Sequence, residues 1–240
     1  MRIDGRAPTE LRPITFELST IQYAEGSTLI SMGQTQVLCA VTVESGVPRW
    51  LQGQGQGWLT AEYALLPRST RTRTPRTHIE GGRAKEIRRL IGRSLRRAVR
   101  LDLLGEITII VDCDVIQADG GTRTASINGG YVAVASAMRT LIDAGTVPAA
   151  VLLPPVGAIS LGMVKGMPLV DLAYEEDMRA DTDLNVVMNA QSEFIEVQGT
   201  AEGEPLPRQQ LDHLLDLATS AIETVIAAQR KALACAGIEI

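Results

Sequence analysis

Histidine and cysteine are scarce in this 240-residue chain. There are two histidines, His78 and His213, and three cysteines without any CxxC spacing. This scarcity excludes a histidine-rich metal centre and a disulfide framework, and it disfavours a zinc site. A Ser–His or Cys–His triad would need one of the two histidines as its base. His213 lies in a helical pattern that indicates a structural role, whereas His78 lies in an Arg-rich loop and is expected to be solvated or to face a polyanion.

Long apolar runs are also missing. The longest apolar stretch, residues 147–159, is interrupted by three prolines, whereas a membrane-spanning helix needs roughly 18–20 uninterrupted apolar residues. The first six residues contain no apolar signal-peptide core. Apolar residues make up 45% and charged residues 21% of the chain, which is typical of globular proteins. We therefore expect a soluble, cytoplasmic protein with no membrane partner.

Charge is distributed unevenly along the chain. The formal net charge is −5, yet residues 68–100 contain eleven Arg and one Lys against Glu80 and Glu86. Local fields steer association, so a segment of this density attracts polyanions even in an acidic protein. Arg outnumbers Lys by 20 to 3. This ratio has two explanations, which are phosphate recognition by guanidinium groups and the codon preference of a GC-rich genome. Codon preference does not explain the clustering.

Negative charge is concentrated in residues 171–183, which contain six carboxylates and a single arginine, Arg179. A carboxylate run usually forms a solvated face. Here, however, apolar and strand-like sequence lies on both sides of the run. This placement argues against a role for these carboxylates as a solvated surface alone.

Hydrophobic periodicity predicts an α+β fold in which mixed sheets pack against helices, in a single domain over residues 1–240. Alternation predicts two strands within residues 27–44, joined near Gly33, and further strands over 58–66, 106–115, 157–164, 168–173, 183–190 and 192–199. Helical spacing predicts helices over 87–99, from about 122 to 142, and over 209–234. The glycine-rich residues 52–57 precede a strand and not a helix, so they predict a mobile loop and no dinucleotide site. The outer arginines of the first helix would serve solubility, subunit contacts or nucleic-acid binding.

A strand, a Gly-Gly turn and a helix start follow one another in residues 106–126. Thr122 and Arg123 open the helix directly after Gly120 and Gly121. The free backbone N–H groups and the dipole of a helix start attract an anion, and the hydroxyl and guanidinium add further donors. The pattern indicates an anion-binding site, although Gly-Gly before a helix also occurs as a plain tight turn.

Motifs along the whole chain resemble one known family, ribonuclease PH, in their order. The residues that carry the resemblance are Met1–Arg6 with Arg12-Pro13, Glu25–Ser27, Thr60–Tyr63, Leu66–Arg68, Gly82-Arg83, Glu86–Arg93, Asp112–Ser126, Asp181–Val187 and Glu196–Gly203. The strongest match is the segment that contains the Gly-Gly turn.

The resemblance implies an α+β fold and a phosphate-dependent 3′→5′ exoribonuclease that trims tRNA precursors and other RNA 3′ ends. In that reaction inorganic phosphate, the co-substrate, attacks the terminal phosphodiester and releases a nucleoside 5′-diphosphate, reversibly. The resemblance also implies magnesium as cofactor and a homohexameric ring, a trimer of dimers. Six copies of the basic segment could concentrate positive potential around a channel of such a ring.

Site residues follow from the resemblance position by position. The phosphate binders would be Arg83, Thr122 and Arg123, with Gly121 and Ser126 in support. Asp177 and Asp183 would be the catalytic carboxylates that hold magnesium, with Asp181 beside them. Arg68, Arg73 and Arg76 would guide the RNA. The chain departs from common family residues at Arg71, Ala173 and Met178, of which Ala173 puts any additional carboxylate role near Asp171 in doubt.

The spacing of the two carboxylates makes a structural prediction. On one straight strand Asp177 and Asp183 would lie about 20 Å apart, at about 3.3 Å per residue, too far to share a metal ion. We therefore predict a bend at residues 178–180, after which Asp181 and Asp183 share a strand face. Asp112, Asp114 and Asp119 are rival carboxylates, which we expect to hold strands and turns.

The chemistry agrees with the scarcity of histidine. Phosphate is already anionic near pH 7, so it needs no histidine to activate it; the protein must instead neutralise two anions that have to meet. Two alternatives stay open at this point. One is a non-catalytic RNA-binding ring subunit, which would have no need for both residue sets, and the other is a hydrolytic metal-dependent nuclease, which would need the carboxylates but no phosphate site.

Overall fold

The computed structural model describes residues 2–77 and 81–239, and His78 lies outside the described residues. Nine strands and four α-helices are formed in these residues. The first half contains β1 (Ile14–Leu18), β2 (Gly26–Met32), β3 (Thr35–Ser45), β4 (Trp58–Leu65), α1 (Gly82–Leu95), β5 (Ile107–Gln117) and α2 (Thr122–Asp143). The second half contains β6 (Val156–Val164), β7 (Met167–Val170), α3 (Tyr174–Asp177), β8 (Thr182–Asn189), β9 (Phe194–Ala201) and α4 (Arg208–Cys235).

The strands form two sheets. The first has five strands in the order β1-β2-β3-β5-β4, and it is mixed because β4 runs parallel to β5 while the other neighbours are antiparallel. The second has four antiparallel strands in the order β7-β6-β8-β9. The predicted α+β class with sheets packed against helices is confirmed, but only the first of the two sheets is mixed.

Helix α2 lies between the two sheets and forms the centre of the core. It packs on β2 and β3 on one side and on β6 on the other, and its residues from Thr124 to Ala135 are all buried. Small residues allow this close packing: a Cβ on Gly129 would approach the Ile30 side chain to 2.7 Å, and one on Gly130 would approach Leu95 to 2.9 Å. This packing fixes the position of α2 between the strands that it contacts.

Most predicted elements agree with the structure within a few residues, including the two strands joined at Gly33 and the long helices α2 and α4. Two short elements, β1 and α3, were not predicted. The strand predicted over 168–173 is wrong at its end, because β7 stops at Val170 and Asp171 adopts φ 55°, in the left-handed region. No helix in the described part of the chain is long and apolar enough to cross a membrane.

Candidate active site

The Gly-Gly turn and the start of α2 (residues 120–123, the cradle) have the turn–helix geometry predicted for an anion-binding site. Gly120 and Gly121 have φ of 78° and 67°, values that favour glycine. Gly121 is the N-cap of α2, and among the described residues no side chain caps the helix. The first N–H groups of α2 are therefore available to an anion. The Thr122 hydroxyl lies 2.9 Å from the hydroxyl of Tyr63 on β4, which fixes its position.

Two arginines flank this cradle, one from each of two helix starts. Arg123 lies in the first turn of α2, and Arg83 lies in the first turn of α1, where it is exposed. The Arg123 guanidinium donates from Nη2 to Glu86 Oε2 at 2.7 Å. Its Nε is buried and has no hydrogen-bond partner among the described residues. An unpartnered donor beside the helix start fits the binding of a phosphate oxygen.

Glu86 orients Arg123 from α1. Its second oxygen accepts a hydrogen bond from Gln198 Nε2 on β9 at 3.0 Å. Burial by itself raises the pKa of Glu86, but the hydrogen bonds from Gln198 and Arg123 and the charges of Arg123 and Arg83 outweigh it, so the pKa is lowered. Glu86 is therefore ionised near neutral pH and holds the guanidinium in place.

One of the predicted carboxylates, Asp177, lies within electrostatic reach of these arginines. Burial and the charge of Asp183 raise the pKa of Asp177, while Arg83 and Arg123 act in the opposite direction. Asp177 ends α3, and the chain turns at residues 178–179 before β8 begins at Thr182. The predicted bend between the two carboxylates is confirmed. Asp183, Arg83 and Arg123 thus all lie within electrostatic reach of Asp177.

Tyr63 adjoins the same cluster. Burial raises the pKa of its hydroxyl, although the hydrogen bond with Thr122 and the charges of Arg83 and Arg123 partly oppose this. The phenol is therefore neutral at physiological pH and remains available for its hydrogen bond with Thr122. The charges of both arginines act on Tyr63 as well as on Asp177, so these two residues lie near the same pair of guanidinium groups.

Asp181 lies directly before β8. Its Oδ2 accepts a hydrogen bond from the backbone N–H of Lys165, in the turn between β6 and β7, at 3.0 Å, and the residue is exposed. Ser126 is buried, and its hydroxyl donates to the carbonyl of Thr122 at 2.8 Å. The side chain of Ser126 thus supports the first turn of α2 from within the helix.

The carboxylate pair fits a magnesium ion by its donor chemistry. Magnesium prefers oxygen ligands, keeps several waters and is commonly held by one or two carboxylates. The charge of Asp183 raises the pKa of Asp177, and a bound cation would relieve this repulsion. In residues 2–77 and 81–239 no group of three or more His, Cys, Asp and Glu side chains could hold a metal ion. A two-carboxylate site completed by water and substrate oxygens is what these residues allow.

The loop between β4 and α1 carries the three arginines predicted to guide RNA. Arg68, Arg73 and Arg76 are all exposed. Between them, Arg71 bonds Glu175 Oε1 of α3 at 2.9 Å, and its guanidinium lies 5.8 Å from the ring centre of Tyr174. The loop is therefore attached to the helix that ends in Asp177.

The rival carboxylates have other positions. Asp112 and Asp114 lie within β5, half buried, and burial raises the pKa of both. The backbone N–H of Asp119 donates to the Thr35 hydroxyl, and its carbonyl accepts from Arg12. These positions agree with roles in strands and turns. His213 is exposed on α4.

Sequence reasoning assigned no site role to Glu86, Gln198 or Tyr63. A signal was present for Glu86, because it follows Arg83 by three residues and therefore lies on the same face of α1. Gln198 and Tyr63 lie in motifs that carry the family resemblance, but their contacts with Glu86 and Thr122 arise only through the packing of β9 and β4.

Comparison with known proteins agrees with this geometry. Residues 10–139 match the family model described as 3′ exoribonuclease family, domain 1, and residues 154–221 match domain 2 of the same family. The solved structure of rice (Oryza sativa) Rrp46 superposes with a TM-score of 0.80 at 20% identity, covering 97% of this chain and 100% of that chain.

Two exosome structures are also similar. The Archaeoglobus fulgidus exosome with RNA bound to the active site gives a TM-score of 0.78 at 26% identity and covers 93% of this chain and 91% of that chain. An archaeal exosome core gives 0.77 at 24% identity, with 95% and 90% coverage. The fold and the site define an α+β protein in which Arg83 and Arg123, in the first turns of two helices, lie near the carboxylate of Asp177. The chain belongs to the RNase PH-type 3′ exoribonuclease family.

Proposed function

We propose that this protein is a phosphorolytic 3′→5′ exoribonuclease that trims 3′ extensions of tRNA precursors and other RNA 3′ ends. Inorganic phosphate is its co-substrate, and the products are nucleoside 5′-diphosphates in a reversible reaction. One observation carries the proposal. The positive charges of Arg83 and Arg123 and the negative charge of Asp183 all act on the carboxylate of Asp177. A site that places anion binders against metal-type carboxylates suits two phosphates that must react with each other.

Phosphate would bind at the start of α2. The N–H groups after Gly121, the Thr122 hydroxyl and the guanidinium groups of Arg83 and Arg123 supply its donors, and Ser126 supports the helix turn. An oxygen of phosphate attacks the phosphorus of the terminal phosphodiester, and the bond from that phosphorus to the 3′ oxygen of the preceding nucleotide breaks. The leaving 3′ oxygen takes up the proton that hydrogen phosphate carries into the reaction. No residue has to deprotonate the nucleophile, because phosphate is already an anion.

Asp177 and Asp183 would hold magnesium, with Asp181 beside them. When bound, the ion neutralises charge on the scissile phosphate and the leaving oxygen. The protein itself orients the attacking anion: Glu86 fixes Arg123 at 2.7 Å, and Tyr63 fixes Thr122 at 2.9 Å. Donors positioned in this way before the reaction typically each contribute about 10²–10³ in rate.

RNA would approach along the loop of residues 66–77, where Arg68, Arg73 and Arg76 offer phosphate contacts. The ion pair of Arg71 with Glu175 attaches this loop to α3, so RNA held there is directed to Asp177. In support, a structure similar over 93% of this chain has RNA bound to its active site.

We further propose a cytoplasmic homohexamer, a trimer of dimers. Related chains come from exosome assemblies, and six copies of residues 68–100 would surround a channel with positive charge. Sedimentation at micromolar concentration tests the assembly, and a monomer would refute it.

Product identity tests the function directly. The protein is incubated with a 3′-extended tRNA and magnesium, with and without inorganic phosphate, and the released nucleotides are analysed. Nucleoside diphosphates that appear only with phosphate are expected. Monophosphates released without phosphate would mean hydrolysis, and tight RNA binding without release would mean a non-catalytic ring subunit.

A further inference from the structure

A buried ion pair joins the N-terminal segment to the loop before α3. Arg12 and Asp171 are 4% and 0% exposed. The backbone N–H and Nε of Arg12 donate to Asp171 Oδ2 at 2.8 and 2.9 Å, and Nη2 donates to Oδ1 at 2.6 Å. The carboxylate therefore receives three hydrogen bonds from one residue, which fixes the guanidinium in a single orientation.

The same guanidinium also holds the Gly-Gly turn of the anion cradle. Nη1 of Arg12 donates to the carbonyl of Asp119 at 2.6 Å, and Nη2 approaches that of Gly120 at 3.5 Å. The Thr35 hydroxyl donates to the Gly120 carbonyl as well, at 2.6 Å. One planar group thus connects the turn before α2 with the segment that leads into α3.

The two segments are also in direct backbone contact. A Cβ placed on Gly120 would lie 2.5 Å from the carbonyl oxygen of Leu172 and 2.8 Å from the backbone of Ala173 and Tyr174. The absence of a side chain at Gly120 therefore sets the distance between the cradle and α3.

A second ion pair fixes α3 itself. Arg2 donates from Nε and Nη2 to the two oxygens of Glu176, at 2.7 Å each, and Glu176 is the neighbour of Asp177. Arg6 lies 3.7 Å from the same carboxylate and donates to the carbonyl of Asp171. The short helix, which spans only Tyr174–Asp177, is thereby oriented by residues more than 160 positions earlier in the chain.

We propose that Arg12 and Asp171 are positioning residues that set the distance between the phosphate cradle and the carboxylate pair. This proposal rests on the proposed function. Neither residue touches a reacting group; Arg12 acts through the Gly-Gly turn and Asp171 through the approach to α3. Two anions repel each other, so their attack geometry depends on the framework that holds the two binding sites at a fixed separation. A displacement of about 1 Å typically costs on the order of 10²-fold in rate.

The first test replaces Arg12 by Lys. Arg12→Lys keeps the positive charge beside Asp171 but loses the fork that reaches Asp119 and Gly120. We expect kcat for phosphorolysis to fall about 10–100-fold, with the KM for phosphate changed less than about threefold, because Arg83 and Arg123 are intact. Arg139→Lys is the matched control, since Arg139 forms an exposed pair with Asp143 at 2.7 Å.

The second test compares two glycine-to-alanine substitutions. Gly120→Ala places a methyl group against the backbone of Leu172, whereas Gly145→Ala introduces a comparable backbone strain, at φ 70°, with nothing within 4 Å. A loss of kcat in the first variant only would support the proposal. Equal kcat in the two folded variants would overturn it.

Hydrogen exchange makes the test independent of activity. In Arg12→Lys, amide protection is expected to fall together in peptides covering residues 117–124 and 170–180, and to stay unchanged in Arg139→Lys. A purely structural role would lower the melting temperature but leave kcat per folded molecule unchanged, and that result would refute positioning. If the wild type releases no nucleotide in the presence of phosphate, the proposed function fails. Hydrogen exchange still decides the coupling in that case: loss of protection in both segments of Arg12→Lys would show that Arg12 couples them, and loss in one segment alone would show that it does not.

Discussion

Removing the Arg123 guanidinium is the most direct perturbation of the proposed phosphate site. In Arg123→Ala the cradle loses the buried Nε donor and one positive charge, and Glu86 is left without its partner at 2.7 Å. The freed carboxylate of Glu86 then repels the incoming phosphate. We expect the loss to fall on phosphate, since the loop of residues 66–77, which is proposed to guide the RNA, is unchanged.

The size of the effect follows from the position of Arg123. A unit charge about 4 Å from an anion contributes about 4 kcal/mol at an effective dielectric constant of about 20, which corresponds to roughly 10³-fold. The Arg123 side chain is 24% exposed, so solvent screening reduces this value. We therefore expect kcat/KM for phosphate to fall by about 10²–10³-fold, in the range found when one such donor is removed.

The assay is a phosphate titration at saturating RNA, with diphosphate release as the readout. Arg139→Ala is the matched control, because it also removes an arginine paired with a carboxylate at 2.7 Å. Partial recovery of Arg123→Ala at high phosphate is expected. A value of kcat/KM for phosphate within about threefold of the wild type, or an equal fall in Arg139→Ala, would refute the assignment of Arg123.

Three further predictions concern the site and the core. In EDTA at pH 7, Asp177→Asn should raise the melting temperature, and it should abolish activity when magnesium is restored. Burial and Asp183 raise the pKa of Asp177, so the ionised form of Asp177 destabilises the folded state. The gain in melting temperature should shrink as the pH falls through that raised pKa, because the wild-type carboxyl is then protonated as well. A lower melting temperature at pH 7 would contradict this. Glu86→Gln should lower kcat about tenfold without raising the KM for phosphate, because Arg123 keeps its charge but loses its orienting partner; a raised KM in phosphate titrations would argue against it. The Tyr131 hydroxyl is buried without a hydrogen-bond partner among the described residues, so Tyr131→Phe should stabilise the fold by about 1–2 kcal/mol in urea unfolding, and any destabilisation would mean that the hydroxyl has a partner such as water.

The elements that sequence predicted well are those with many periods of a hydrophobic pattern. Helices α2 and α4 and strand β5 span 22, 28 and 11 residues, so their local pattern identifies them without tertiary information. The five residues of β1 and the four of α3 provide too little pattern.

The end of β7 shows a different kind of error. The apolar alternation of residues 168–173 continues through Asp171, but the chain leaves the sheet there because Asp171 pairs with Arg12, 159 positions earlier. No local pattern contains such a contact, since it depends on how the N-terminal segment packs against the second sheet.

The candidate site divides in the same way. The geometry of the cradle could be predicted from the sequence, because a strand, two glycines and a helix start are adjacent in the chain and their backbone geometry is local. The bend between the two carboxylates could be predicted as well, since six residues of extended chain would separate them too far. The contacts of Glu86, Gln198 and Tyr63 around the cradle, and the link that Arg12 makes from the cradle to the segment before α3, could not be predicted in this way. These side chains come from parts of the chain distant in sequence, and their distances are set by the packing of two sheets around α2, which no local periodicity encodes.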